Sequence, residues 1–243
     1  MKNIVTIILL IASILLPLVG SAQRIERTIN ESWLFARDGE KAQVVNIPHS
    51  WNKEDSTDDI PGYYRGVGNY NKRLVVNDDL EGRKVYLFEG ANQITEVWVN
   101  DKFVGKHIGG YSAFCFDVTS AICKGENNVR VKVDNSHNVA VPPLSADFTF
   151  FGGIYRDVNL ILTSATHIST THYASSGVYI STPQVSEQRA VANIRTMLTN
   201  GSGSKQTLYL YHKVVAPNGE VVKVAKERVV IAPNTENFEC STS

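Results

Sequence analysis

Glu96-Val97-Trp98-Val99-Asn100-Asp101-Lys102-Phe103-Val104 decides the fold. Its two runs are rich in β-branched and aromatic residues, and the Asn100-Asp101 pair between them tolerates positive φ, which suits a tight hairpin turn. Upstream, Val85-Tyr86-Leu87-Phe88 is another run of strand formers. Downstream, Val129-Arg130-Val131-Lys132-Val133 alternates so that valines meet a core while cations meet water. Together these segments read as a meander inside a sandwich. Short β-rich runs punctuated by turn residues recur throughout, and no stretch after the N-terminal segment keeps a helical apolar stripe for three turns. The pattern predicts an all-β protein.

Near Thr163 to Ser176 the composition shifts to Ser, Thr, Ala and His, which places a domain boundary there. The first domain is expected over residues 23–164 and the second over 165–243. Strands are expected from Val178-Tyr179-Ile180, then over Ala190 to Leu198, Thr207 to Val215 and Val221 to Ile231. Asn200 to Ser204 and Pro217-Asn218-Gly219 supply the turns between them. Three or four strands are about half of the seven in an immunoglobulin-like sandwich. The second domain therefore reads as an incomplete sandwich at Ser243, with a sheet face lacking its partner.

The chain has 243 residues, 43% of them hydrophobic, enough for two modest cores. Its formal net charge is zero, which gives no bulk attraction to a nucleic-acid backbone or an anionic membrane. Met1 to Ala22 reads as an export signal: Lys2 starts it, Ile4 to Val19 is apolar with Pro17 near its end, and Gly20-Ser21-Ala22 offers small residues for cleavage. The expectation is a secreted or periplasmic chain starting at Gln23, with no membrane contact once the signal is removed. Cys115, Cys123 and Cys240 form an odd set without a CxxC. Cys115, between Phe114 and Phe116, reads as a buried thiol, with a Cys115 to Cys123 bridge open in an oxidising compartment. His167 and His172 are five apart, a spacing that fits neither one helix face nor one strand face, so metal ligation gains no support. No cofactor is expected.

GxSxG elbows, HExxH helices and phosphate-cradling glycine loops are absent from the sequence. Gly66-x-Gly68 follows Arg65 but precedes a strand, so it is a turn. Asp58-Asp59 and Asp78-Asp79 read as solvated turns. The stretch from Pro142-Pro143 through Asp147-Phe148-Thr149-Phe150-Phe151-Gly152-Gly153 to Val158 carries more chemistry. Its prolines and glycines demand fixed backbone shapes, while Asp147 stands among aromatics suited to stacking on a sugar ring. The competing reading is an Asp that caps its own loop over a core of Phe residues.

Here the sequence resembles glycoside hydrolase family 2, the β-galactosidases, β-glucuronidases and β-mannosidases. Asn30 to Phe35 resembles the family's opening strand, Asn46-Ile47-Pro48-His49-Ser50-Trp51-Asn52 its "LPHDWN", and Tyr64-Arg65-Gly66-Val67-Gly68-Asn69-Tyr70 its "YRGxGWY". Val97-Trp98-Val99-Asn100 and Gly109-Gly110-Tyr111 resemble the run from "VWVNG" to "G-GY", and Gly153-Ile154-Tyr155-Arg156-Asp157-Val158 closes the series. The resemblance implies a jelly-roll sugar-binding domain, then an immunoglobulin-like domain, then a (β/α)₈ barrel that holds both catalytic glutamates. On that implication this chain stops inside the second domain and contains no catalytic residue. Asp147 resembles the aspartate that reaches into the barrel's active site to touch the sugar. Arg65 lies in the other loop that approaches that site, although Gly66 or a neighbour stands where some galactosidases place an asparagine on galactose. Asp147 and Arg65 are therefore the expected substrate-binding residues.

Trp98 is expected to fill the jelly-roll core and Arg156 to pair with Asp157 or Asp117. The resulting expectation is the non-catalytic front portion of a secreted retaining glycoside hydrolase of β-galactosidase type, acting on a β-galactoside-like carbohydrate. A free-standing carbohydrate-binding module, stacking sugars on Tyr63, Tyr64, Tyr111 and Phe148 to Phe151, is the alternative. A truncated product whose second domain aggregates is a third, and self-association stays open.

Overall fold

The computed structural model describes residues 24–55, 57, 62–145 and 147–242. The export-signal reading and the Asp58-Asp59 turn lie outside those residues. The described residues form eighteen strands and no helix, bearing out the all-β expectation. The first twelve are β1 (Arg24–Thr28), β2 (Trp33–Arg37), β3 (Gln43–Val45), β4 (Val67–Val76), β5 (Arg83–Glu89), β6 (Ala91–Asn92), β7 (Ile94–Val99), β8 (Lys102–Ile108), β9 (Phe114–Asp117), β10 (Gly125–Asp134), β11 (Gly153–Ile154) and β12 (Asn159–Ser164). They form a six-stranded sheet, β3-β2-β4-β10-β7-β8, facing a four-stranded sheet, β1-β12-β5-β9, with β6 and β11 paired at one end.

The hairpin is where the sequence puts it. Val99 pairs with Lys102, and Asn100 and Asp101 have φ of 49° and 62°, the double positive φ of a two-residue type I′ turn. The Asn100 amide donates to the Ala121 carbonyl at 2.9 Å and to Asn127 Oδ1 at 2.8 Å, pinning the turn to the next loop. The meander expectation fails. β5 belongs to the four-stranded sheet, and β7 takes β10, thirty residues away in sequence, as its neighbour. The chain crosses from one layer to the other between consecutive strands, as a sandwich requires and a local pattern does not reveal.

Between the layers lie Trp33, Tyr70, Val97 and Val131 from the larger sheet and Leu87 and Leu162 from the smaller, all essentially solvent-free. Each contributes roughly 1.5–3 kcal/mol by burial. Trp33 also donates its indole N–H to the Ile29 carbonyl at 2.8 Å, so its polar end is satisfied. Trp98 is a correction: Val97 and Val99 take the inward positions of β7, and the pleat turns Trp98 to the solvent side. There it stacks under the Arg130 guanidinium at 3.9 Å and meets Phe103 edge-on at 5.5 Å. Arg156 is a second correction. Its stem lies over Gly90 and its guanidinium donates to the Tyr111 carbonyl at 3.1 Å. Asp157 accepts from Asn30, and Asp117 takes Lys84 at 3.8 Å. All three cysteines are free, and burial pushes the Cys115 thiol up to about 12, which makes it inert.

Only Ala165 separates β12 from β13 (Thr166–Ile168), which opens a second group of strands: β14 (Val178–Val185), β15 (Ala190–Asn200), β16 (Gln206–Val215), β17 (Val221–Ile231) and β18 (Thr235–Thr242). At the junction Tyr86 of β5 shares a hydrogen bond with His167 Nε2 at 3.0 Å, and His167 Nδ1 meets the Ser164 carbonyl at 2.9 Å. The carbonyl can only accept, so Nδ1 carries the proton and Tyr86 donates to Nε2. β13 and β14 line one edge of β15 and β18 the other, while β16 and β17 form a separate hairpin. The core between them is small: Leu198, Leu210, Val229 and Ile231.

A loop cluster bearing Asp147 and Arg65

The loop from β10 to β11 carries Asp147, and the segment entering β4 carries Arg65. Two buried asparagines hold them together. Asn135, 1% exposed, donates its amide to the Phe150 carbonyl and accepts the Gly66 N–H at its Oδ1, both at 2.8 Å. Arg65 Nε donates to the Asn135 backbone carbonyl at 2.8 Å. Asn52, fully buried, accepts the Gly152 N–H at 2.7 Å and donates to Asp55 at 2.7 Å and to the Tyr64 carbonyl at 2.8 Å. Buried amides satisfied on both ends fix loop backbones that no ladder could hold.

Glycine is required where the two loops touch. A Cβ on Gly152 would lie 2.0 Å from the Trp51 ring, and one on Gly153, at φ +123°, would lie 2.4 Å from the His49 carbonyl oxygen. Trp51 in turn stacks on Phe35 at 5.8 Å, so the loop rests on the sandwich core.

Phe150 is buried under this frame, and the Arg65 guanidinium lies over its ring at 4.8 Å. Phe148 meets the same ring edge-on at 5.4 Å while remaining half exposed. The loops of the two sequence-predicted residues are thus joined through Phe150 and Asn135. Asp147 itself is exposed, and among the described residues its carboxylate has no hydrogen-bond or ion-pair partner. The loop-capping reading of Asp147 therefore gains no support. No carboxylate among the described residues pairs with Arg65. Asp55, the other acid tied into these loops, is consumed structurally: its Oδ2 accepts from Asn52 and from the Tyr64 N–H.

Of the aromatics expected to form a stacking platform, Phe148, Phe151 and Tyr111 are exposed, whereas Phe150 is buried and Tyr63 and Tyr64 are half-buried. Tyr64 is wall material. Its hydroxyl donates to the Val67 carbonyl at 3.1 Å, it meets Trp51 edge-on, and the Arg37 guanidinium covers its ring at 4.9 Å. Tyr64, Trp51, His49 and Phe35 line one side of an open cavity of about 660 Å³, with Arg37 and Lys53 among its polar walls. His49 shares a hydrogen bond with the buried Tyr70 hydroxyl at 2.8 Å, and burial lowers its pKa. Among the described residues no group of three or more His, Cys, Asp or Glu side chains converges on a metal position.

Chemically, the arrangement offers an exposed carboxylate and a cation on loops tied together by hydrogen bonds, beside exposed aromatic faces. Hydroxyl groups are the kind of partner such donors and acceptors suit; retaining hydrolysis instead needs an acid and a nucleophile carboxylate about 5 Å apart. Asn52 and Asn135 were missed by sequence reasoning. Asn52 stands within a recognised motif, but nothing local marks it as a clamp on Gly152, 100 residues away, or Asn135 as a clamp on Gly66, 69 residues away.

The family model described as "Glycosyl hydrolases family 2, sugar binding domain" matches residues 21–164. A β-glucuronidase of Bacteroides fragilis is 40% identical over 184 residues, taking in 74% of this chain and 26% of that protein. A β-galactosidase of Thermoanaerobacter pseudethanolicus is 34% identical over 180 residues, taking in 69% of this chain and 23% of its own length. The crystal structure of Bacteroides uniformis β-glucuronidase matches with a TM-score of 0.83 at 34% identity, covering 90% of this chain and 27% of that one. The chain thus spans about a quarter of the length of these relatives.

Proposed function

The chain belongs to glycoside hydrolase family 2 and carries its sugar-binding domain, and from that premise we propose that it is the secreted, non-catalytic N-terminal portion of a retaining β-glycosidase. In this reading Asp147 and Arg65 orient the non-reducing sugar at a site whose acid and nucleophile carboxylates belong to a barrel domain. The observation that carries it is the exposure of Asp147, which has no side-chain partner among the described residues, on a loop clamped by Asn135 and Asn52. In this role the carboxylate contributes by positioning, since small displacements of a bound substrate can cost about 100-fold in rate. Galactosides and glucuronides are the substrate classes supported by the names of the relatives. Arg65, with no carboxylate partner among the described residues, can receive either sugar hydroxyls or a uronate carboxylate.

Two measurements test this. The 243-residue chain alone should give no turnover of nitrophenyl β-glycosides; saturable hydrolysis abolished by changing an acid within it would overturn the reading. Joined to a catalytic barrel, Asp147→Ala should lower kcat/KM by about 10- to 100-fold with the fold intact. Unchanged kinetics would remove Asp147 from the site.

A further inference from the structure

We propose that the outward face of the β16–β17 hairpin is a docking surface for a carboxylate-bearing polysaccharide. The register sets Tyr209 opposite Arg228, Tyr211 opposite Lys226 and Lys213 opposite Val224, so two tyrosines and three cations share one face. The alternation is clean: these residues are exposed, while Leu208, Leu210, Val229 and Ile231 turn inward. Tyr209 and Tyr211 keep 53% and 52% of their surface in solvent, far more than structural tyrosines retain.

The Lys226 ammonium lies 4.1 Å from the Tyr209 ring centroid and 5.4 Å from that of Tyr211. The two rings hold the charge in one place instead of letting it sweep through water, which lowers the entropy lost when an anion pairs with it. Arg228, beside it, offers a planar fork suited to a carboxylate. The strand residues on this face include no acid. Glu227 points to the other side, and Glu220 lies in the turn.

The chemistry selects the occupant. A second copy pairing symmetrically through this face would set Lys213, Lys226 and Arg228 against the same three cations, a like-charge contact that opposes pairing. A peptide would add to a backbone edge, and β16 has only β17 beside it among the described residues; it would not lie across the side chains. A linear polyuronate has flat C–H faces for the tyrosine rings and carboxylates repeated along its length for the cations. The surface is separate from the Asp147 loop, and the proposal does not rest on the reading of that residue.

Affinity electrophoresis of the full chain through gels carrying polygalacturonate, methyl-esterified polygalacturonate or poly-L-glutamate tests the assignment. Polygalacturonate should retard the chain, and esterification should weaken the interaction at least about tenfold. Lys226→Glu and the Tyr209→Ala/Tyr211→Ala pair should each weaken it by about tenfold or more, while Lys226→Arg keeps it, which separates lost binding from lost folding. No retardation by polygalacturonate, equal retardation by poly-L-glutamate, or binding unchanged in the Lys226 and tyrosine variants would each overturn the proposal.

Discussion

The six-stranded sheet of the first sandwich and the β16–β17 hairpin are written in the same alternating pattern, yet they use it to different ends. In β10 the valines at 129, 131 and 133 are sealed against a second sheet. In the hairpin Val222, Val224 and Val230 share the solvent face with Tyr209 and Tyr211. Alternation specifies which residues share a face. Burial depends on whether another layer is there to receive it, and that is a property of the whole fold.

Substitutions can break the contrast or sharpen it. Trp33→Ala should destabilise the first sandwich by about 3–5 kcal/mol in urea unfolding, because the indole fills space between two sheets. Tyr209→Ala, of comparable chemistry but exposed, should stay within about 0.5 kcal/mol. Equal losses would erase the distinction. Asn135→Ala comes next, at about 2–3 kcal/mol, since it orphans the buried Phe150 carbonyl and Gly66 N–H. Hydrogen exchange at the Gly66 amide should quicken with it, tying the loss to the loops and not to the core. Trp98→Ala should cost about 1 kcal/mol, the scale of an exposed cation–π contact with Arg130, and less than truncation of its inward neighbour Val97.

The smallest effect concerns pH. Burial lowers the His167 pKa, so the folded state prefers the neutral ring and binds fewer protons than the unfolded chain. The stabilisation is complete above the unfolded value of about 6.5 and is lost as pH falls below it. Protonation at Nε2 also ends the hydrogen bond accepted from Tyr86. His49 and His107 are lowered by burial in the same direction. The diagnostic measurement is therefore the difference in melting temperature between the parent and His167→Gln across pH 7.5 to 5. The gap should narrow as pH falls; a constant gap would remove the ring's titration from the account.

Much of this was legible in the residues. Asn100-Asp101 announced its turn, the Val129 to Val133 alternation announced its faces, and the segments after Val178 became strands close to their expected positions. Layer membership was not legible, because β5 and β7 are neighbours in sequence but lie in opposite sheets. Trp98 shows position outweighing size: Val97 and Val99 on either side fix its direction, and a large side chain follows the pleat. Arg156 was given an acidic partner on charge alone, whereas a carbonyl lay within its reach. At the candidate site, residue types and loop chemistry pointed to Asp147 and Arg65. The clamps at Asn52 and Asn135 include contacts 69 positions away, to Gly66, and 100 away, to Gly152, and local pattern carries no trace of those.

A single residue joins β12 to β13. Ala165 is a bend that carries the chain from one sheet into the next, so it sets both the distance between the two groups of strands and where His167 comes to lie beneath Tyr86. Each extended residue added there would lengthen the connection by about 3.3 Å and draw the imidazole away from the Tyr86 hydroxyl. An insertion that an ordinary surface connection would absorb is here felt at a buried hydrogen bond between the two groups of strands.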